Sequence, residues 1–243
     1  MKMKNTLNHI ALIPDGNRRW AKKHGTVGWR GVEKGAERFE EITDFLFRHN
    51  VSYVTFWAGS EDNLTKRSQP EVNFLISVLQ NWLKKISASD TLVKNKIRFK
   101  VIGRWTAILK KDRRIDNLKR LIWELEKRTK DFREKNLTIL FGYDGRREMV
   151  EAIEKISARD KQKMKEKKMT YEDVRNALWT GDLPPVDLVI RTGGEPHWSA
   201  GFMMWHTANS QFYFTKTFWP DFKKGEIKKA IDDFAKRERR FGK

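Results

Sequence analysis

Cysteine is absent from the 243 residues. That excludes a disulfide-stapled scaffold, thiolate catalysis and cysteine-ligated zinc or iron–sulfur centres, and it is compatible with a reducing cytoplasm. No stretch approaches the ~18 consecutive apolar residues of a membrane-spanning helix. The opening Met1–Leu7 has no apolar core of signal-peptide length. Acidic residues are in deficit: 32 Asp plus Glu stand against 51 Lys plus Arg, a formal net charge of +19. Pro/Gly/Ser-rich linkers, composition breaks and solenoid-period repeats are also missing, so the chain reads as a single domain over residues 1–243.

Ten tryptophans and an aromatic content of 12% argue against disorder, because disordered chains lack such residues. A chain of this length would bury roughly 70–75% of its unfolded surface. The basic excess suits nucleic acid, an anionic membrane surface or phosphorylated substrates. Its densest stretches, Lys161–Lys168 and Lys224–Lys243, read first as solvated helix faces, with membrane contact as the second reading. No RRM, KH, helix-turn-helix or zinc-finger signature supports a nucleic-acid partner. Abundant Lys, Arg and Glu without Cys fits a heat-adapted host.

Short apolar runs alternate with longer helical patterns. Strands are expected over His9–Ile13, Val51–Trp57, Ile97–Ile102, Leu137–Phe141, Leu188–Ile190 and Phe212–Phe214. Helices are expected over Val32–His49, Glu71–Ser87, Asp112–Glu134, Arg146–Lys168, Tyr171–Trp179 and Lys224–Arg239. The alternation predicts an α/β fold: a mostly parallel central sheet of about six strands flanked by helices.

Ligands of parallel α/β sheets bind beyond the carboxyl ends of the strands, so the post-strand loops carry the search for chemistry. The first is Pro14-Asp15-Gly16-Asn17-Arg18-Arg19-Trp20. Arg forks and the open N–H groups of a following helix suit phosphate, and Asp15 suits a Mg²⁺ that bridges phosphates. The same residues also read as an Asp-Gly turn with a capped helix. The second loop, Trp57 to Arg67, contains Ser60-Glu61-Asp62-Asn63. It reads equally as an N-capping loop for the helix after Pro70. In the third, Arg191-Thr192-Gly193-Gly194-Glu195-Pro196-His197-Trp198-Ser199, paired glycines suggest backbone approach to an anion or a flexible turn. Together the loops suggest a crevice for phosphorylated ligands. No GxGxxG, GxxxxGK[ST], HExxH or GxSxG motif occurs, which removes weight from nucleotide folds, zinc hydrolases and serine hydrolases.

These loops resemble the cis-prenyltransferase family of the undecaprenyl diphosphate synthase type. His9 to Ala21 resembles its HxxxxxDGNxRWA opening, Ser60 to Asn63 its S-x-x-N loop, and Asp187 to Glu195 its DLxIRTxGE motif. Phe212-Tyr213-Phe214 with Trp219-Pro220-Asp221-Phe222 resembles its YF…WPDF block, and Arg240-Phe241-Gly242 its RxG tail. The resemblance implies the condensation of an allylic prenyl diphosphate with isopentenyl diphosphate into a cis prenyl or polyprenyl diphosphate, in a hydrophobic tunnel, with Mg²⁺. It implies that Asp15 assists diphosphate departure and ligates the metal. Gly16, Asn17, Arg18 and Arg19, with Trp20 beside them, would hold the allylic diphosphate. Asn63, with Ser60, Glu61 and Asp62 nearby, would serve proton abstraction and the acceptor. Arg191, His197 and Ser199 would face the isopentenyl diphosphate, and Arg240 and Gly242 would reach a phosphate across a homodimer. A cytoplasmic enzyme with peripheral membrane contact is the implied setting.

The chain departs from the family pattern at several places. Gly28 and Val32 stand where an Arg and a His are usual, with His24 and Arg30 nearby. His197 replaces an arginine, and Leu64 replaces an aromatic. One residue is added in Ser199-Ala200-Gly201-Phe202, and Gln211 replaces a metal-ligand Glu. The changes gather on the acceptor and metal side. They leave open irregular transfer to another acceptor such as dimethylallyl diphosphate, or a non-catalytic subunit, although the latter class lacks the DGN block kept here. Trp198, Trp205 and Phe202 could line a prenyl tunnel; most tryptophans are expected in the core.

Overall fold

The computed structural model describes residues 7–110, 115–159 and 168–237. Residues 1–6, 111–114, 160–167 and 238–243 lie outside it. With them go Arg240 and Gly242, nearly all of the Lys161–Lys168 run, and the ends of three expected helices.

Six strands form one sheet: β1 (His9–Ile13), β2 (Tyr53–Ser60), β3 (Ile97–Ile102), β4 (Lys135–Tyr143), β5 (Leu188–Arg191) and β6 (Gln211–Phe214). Their order is β3-β4-β2-β1-β5-β6, and every pairing is parallel. The expected strands are all present, with β2 and β4 running further at their carboxyl ends than their apolar runs suggest. The sheet is apolar on both faces, as a sheet covered on both sides must be. Ile10, Leu12, Val54, Phe56, Ile139, Phe141 and Ile190 point into the larger core. Ala11, Ile13, Trp57, Leu140 and Val189 point into the smaller one. A one-residue slip would exchange these sets, so the alternation pins the register.

The larger core is closed by α2 (Gly28–Arg48), α4 (Gln69–Ser89), α7 (Ile115–Thr129) and α10 (Lys224–Lys236). On the other face α8 (Gly145–Arg159) packs with α9 (Tyr171–Ala177). The remaining helices are short: α1 (Asn17–Lys23), α3 (Glu61–Thr65), α5 (Thr91–Lys94) and α6 (Trp105–Ile108). A four- or five-residue helix spans barely one turn, so it leaves no periodic signal in a sequence. Helix α2 begins one turn before the expected Val32, because its early glycines serve contact rather than flexibility. A Cβ on Gly31 would fall 2.0 Å from the Asn17 carbonyl oxygen, and one on Gly35 would fall 2.6 Å from Asn17 Oδ1. Helix α1 therefore lies directly on α2. Among the described residues no helix is long and apolar enough to cross a membrane.

Two histidines are buried in polar seats. His9 faces the Pro184 carbonyl at 3.0 Å and Thr55 Oγ1 at 2.8 Å, and His206 Nε2 faces Thr180 Oγ1 at 3.0 Å. Burial lowers each from 6.5 to about 4. Both are neutral in the fold at pH 7, while the unfolded chain takes up protons below about pH 6.5. Stability is therefore full above that value and falls as pH drops toward 4, by up to about 3 kcal/mol per histidine. Melting temperatures measured between pH 7.5 and 4.5 should show this slope, and His206→Gln should flatten it.

Candidate active site

The carboxyl ends of β1, β2 and β5 open on one cavity of about 490 Å³. Its mouth is polar. Asp15, two residues beyond β1, holds Arg191 Nη2 on Oδ2 at 3.0 Å and Arg19 Nη2 on Oδ1 at 2.9 Å. Arg19 also reaches Glu195 at 3.0 Å. The Arg191 side chain is only 7% exposed against 32% for Asp15, and its Nη1 donates to the His197 carbonyl at 2.8 Å. Arg191 Nε is buried with no partner. Four guanidiniums (Arg18, Arg19, Arg67 and Arg191) line the cavity with Asp15 as the single acid. Burial, and next the repulsion of Arg18, lower Arg67 from its usual value. Arg18 also pairs with Glu71 at 3.3 Å, so four guanidiniums meet three carboxylates (Asp15, Glu71 and Glu195), and the surplus of positive charge suits an anion. The depth of the cavity is apolar: Phe39 from α2, Leu75 and Trp82 from α4, and Phe56, Ile139 and Phe141 from the sheet.

The backbone holds this mouth rigidly. Thr192 Oγ1 accepts from Asp15 N at 2.9 Å and donates to the Asp15 carbonyl at 2.8 Å. Trp219 N also donates to that carbonyl, at 3.0 Å. Gly16 (φ 102°) turns the chain from Asp15 into α1, and Phe218 fills the space a side chain there would need. The first N–H groups of α1 have no intrahelical partner and no side-chain cap. A Cβ on Gly193 (φ 88°) would stand 2.9 Å from both Arg19 Nη2 and the Asp15 backbone. The paired glycines thus serve close packing at positive φ. Contrary to the anion-approach reading, their N–H groups are spent on the Thr217 and Thr215 carbonyls at 2.8 and 2.9 Å.

The second loop is both capping and lining. Ser60 caps α3 by accepting from Asn63 N at 3.0 Å, and Asn63 Oδ1 accepts from Ser60 N at 3.3 Å. Ser68 and Glu71 form the capping box of α4, with Pro70 in its first turn. Ser60 and Asn63 nevertheless line the cavity, where a register irregularity ends β2.

Of the expected site residues, Asp15, Gly16, Asn17, Arg18, Arg19, Ser60, Asn63, Arg191 and Ser199 come together around this cavity. Trp20 does not; its Nε1 donates to Asp221 at 2.9 Å and its ring stacks on His24. Glu61 pairs with Arg104 and Asp62 with Lys66, both at 2.9 Å, away from the lining. His197 contributes its carbonyl and leaves its ring exposed. Gln211 stands beside Leu188 at the start of β5, about 10 Å along the strands from Arg191 and, on the second strand over, about 10 Å from β1. Within one chain it does not meet Asp15, so the suggested Asp15–Gln211 metal pair is not assembled here. Among the described residues no three His, Cys, Asp or Glu gather for a metal. Trp198, Trp205 and Phe202 do not line the cavity; Trp57, Trp82 and Trp219 do. Sequence reasoning gave no role to Arg67, Thr192 or Trp82. Arg67 was visible as a cation beside a cap, whereas Thr192 and Trp82 carry no signal apart from the fold.

The model of the family described as "Putative undecaprenyl diphosphate synthase" matches residues 13–242. An isoprenyl transferase of Rickettsia typhi is 37% identical over 98% of this chain and 99% of its own length. The chain belongs to the cis-prenyltransferase family. A geranylgeranyl-diphosphate-specific tritrans,polycis-undecaprenyl-diphosphate synthase of Thermoplasma acidophilum is 36% identical over 97% of this chain and 88% of its own. Among solved structures, lavandulyl diphosphate synthase of Lavandula x intermedia in complex with dimethylallyl diphosphate superposes with a TM-score of 0.86. It shares 28% identity over 97% of this chain and 98% of its own. Against the family pattern, this cis-prenyltransferase sets Val32 in the cavity wall and Gly28 close to the Arg18 stem. His24 and Arg30 do not replace the missing cations: His24 bonds the Trp20 carbonyl and Arg30 pairs with Glu33. The cavity's cations come instead from Arg18, Arg19, Arg67 and Arg191.

Asp15 is the internal counter-ion of Arg19 and Arg191, so an anion placed on these arginines would compete with it. Asp15→Asn is expected to lower stability by about 1–2 kcal/mol, since the pair is only partly buried. In metal-free buffer it should also bind inorganic diphosphate more tightly than the native chain. Thermal melts and calorimetric titration check the two effects.

Proposed function

We propose that this transferase joins an allylic prenyl diphosphate to isopentenyl diphosphate and yields a cis prenyl diphosphate. The observation that carries the reading is the single cavity with a cationic mouth and an apolar depth. A diphosphate suits the arginines and the open N–H groups of α1, and a prenyl chain suits Phe39, Phe56, Leu75 and Trp82. The family match and the isoprenyl transferase relatives support the same reaction over its alternatives.

The mouth also suits Mg²⁺. That ion is held by one or two carboxylates plus substrate phosphates and keeps its waters, and one acid, Asp15, is available there. Asp15 would hold it, and the ion would neutralise charge on the departing diphosphate. The protein's own groups do the rest. Arg18, Arg19 and Arg67 bind and orient the allylic diphosphate and stabilise the charge that develops as its carbon–oxygen bond breaks. Arg191 and Ser199 hold the isopentenyl diphosphate so that its double bond faces that carbon. The aromatic wall excludes water from the allylic cation. A proton must then leave the new adduct. Asn63 is a neutral amide whose Oδ1 is already engaged by Ser60 N, so it serves as a positioning donor and an oxygen of the released diphosphate takes the proton. A homodimer fits β6, the outer strand carrying the half-exposed Phe214, and membrane contact fits the net charge.

Purified protein incubated with Mg²⁺, a labelled allylic diphosphate and isopentenyl diphosphate should give a cis-configured product. Product from dimethylallyl diphosphate alone would favour irregular transfer, and no product from any pair would sink the enzyme reading. A cavity of about 150 Å³ takes a six-carbon ring. On that scale about 490 Å³ takes roughly four five-carbon units, with Trp82 and Phe141 in the wall. Phe141→Ala should move the product mass upward, at a cost in stability of about 3–5 kcal/mol.

A further inference from the structure

Behind the cavity, on the far face of the sheet, lies a buried polar chain with no place in the reaction described above. Tyr143 ends β4 and is fully buried. Its hydroxyl donates to Glu148 Oε2 at 2.5 Å and accepts from Met203 N at 3.2 Å. Glu148 is itself buried, and its Oε1 accepts from Thr180 N and Oγ1, both at 2.8 Å. The Glu148 side is therefore anchored to two separate elements, and the Tyr143 hydroxyl reaches out from it to a third.

That third element is the turn that holds the residue added relative to the family pattern. Ala200 (φ 45°), Gly201 (φ 60°) and Met203 (φ 47°) are all left-handed, a conformation that residues with side chains adopt only when their surroundings impose it. Trp198 Nε1 donates to the Phe202 carbonyl at 2.8 Å and Thr207 Oγ1 to the Met203 carbonyl at 3.1 Å, and two contacts from β4 and α8 hold the turn from outside. Gly145 N, at the start of α8, donates to the Ala200 carbonyl at 3.1 Å, and a Cβ on Gly145 would fall 1.8 Å from the Gly201 carbonyl oxygen. The other contact is the Tyr143 hydroxyl on Met203 N. Ser199 enters the cavity at the head of this turn, and Phe202 N donates to its carbonyl at 2.9 Å. Two residues earlier, the His197 carbonyl receives Arg191 Nη1.

We propose that Tyr143, braced by Glu148, is a positioning residue for the acceptor half of the site: it holds the strained 200–203 turn so that Ser199 and Arg191 meet isopentenyl diphosphate. Tyr143 touches no substrate, and the Asp15–Arg19 side of the cavity is held by other bonds. This rests on the assignment of Ser199 and Arg191 to the acceptor made above.

The test is steady-state kinetics of Tyr143→Phe, Glu148→Gln, Ser199→Ala and the Tyr143→Phe/Ser199→Ala double variant, with melting curves to establish folding. Tyr143→Phe should raise KM for isopentenyl diphosphate about fivefold, the effect of losing one hydrogen bond. It should leave kcat and KM for the allylic diphosphate within about twofold of native. Glu148→Gln replaces one of the two accepting oxygens with an NH₂ group, so either the Tyr143 hydroxyl or Thr180 loses its acceptor, and that KM should rise in the same direction. The double variant should be worse than Ser199→Ala by less than Tyr143→Phe costs by itself, because part of what Tyr143 positions is Ser199. An unchanged isopentenyl KM in a folded Tyr143→Phe, or an equal rise for both substrates, overturns the proposal. If Ser199→Ala leaves that KM unchanged, the acceptor assignment fails and the positioning role with it. Loss of all product in the native protein would instead condemn the reaction itself.

Discussion

Asp15 stands between two guanidiniums, and most of the site's order depends on that arrangement. The carboxylate binds Arg191 from β5 and Arg19 from α1, and the same residue's backbone is pinned by Thr192 and Trp219. Two segments remote in sequence, Arg191-Thr192 and Trp219, therefore converge on one residue. Burying the Arg191 guanidinium there without a counter-ion would cost stability.

The rest of the cavity follows from the sheet. With all six strands parallel, every carboxyl end opens on the same side, so the three polar loops share one mouth. The apolar alternation that builds the larger core also supplies the wall for a prenyl chain: Phe56, Ile139 and Phe141 are core residues and lining residues at once. A hydrocarbon substrate is thus accommodated as an extension of the core, by the same hydrophobic effect that folds the chain. The opposite face carries the smaller core. It also carries the buried polar chain of Tyr143, Glu148, Thr180 and His206, which braces the back of the acceptor loop.

Much of this was legible in the chain itself. Short apolar runs with few charges located all six strands, and the Asp15, Ser60–Asn63 and Arg191 loops were recognisable by their position after strands and by their resemblance to a family. What was misread turned on direction and distance. Trp198, Phe202 and Trp205 look like tunnel residues in the sequence but lie away from the cavity, whereas Trp82, on an ordinary amphipathic helix, faces it. The Gly193-Gly194 pair looks like an anion nest but has already given its N–H groups to β6's following loop. Gln211 lies close to the motif blocks in sequence, yet register puts it at the far end of the sheet from Asp15.

The sequence by itself determined the fold class, the strand set and the chemistry available: arginine, one well-placed aspartate and abundant aromatics, with no thiol to offer. Local periodicity and turn chemistry decide these, and both are properties of neighbours along the chain. Only the tertiary structure decided which four arginines share a mouth with Asp15, which aromatics bound the cavity, and that a tyrosine on the far face of the sheet reaches the acceptor loop. Those facts depend on which strand lies beside which and on the depth at which each side chain stops, and packing among residues far apart in sequence sets both.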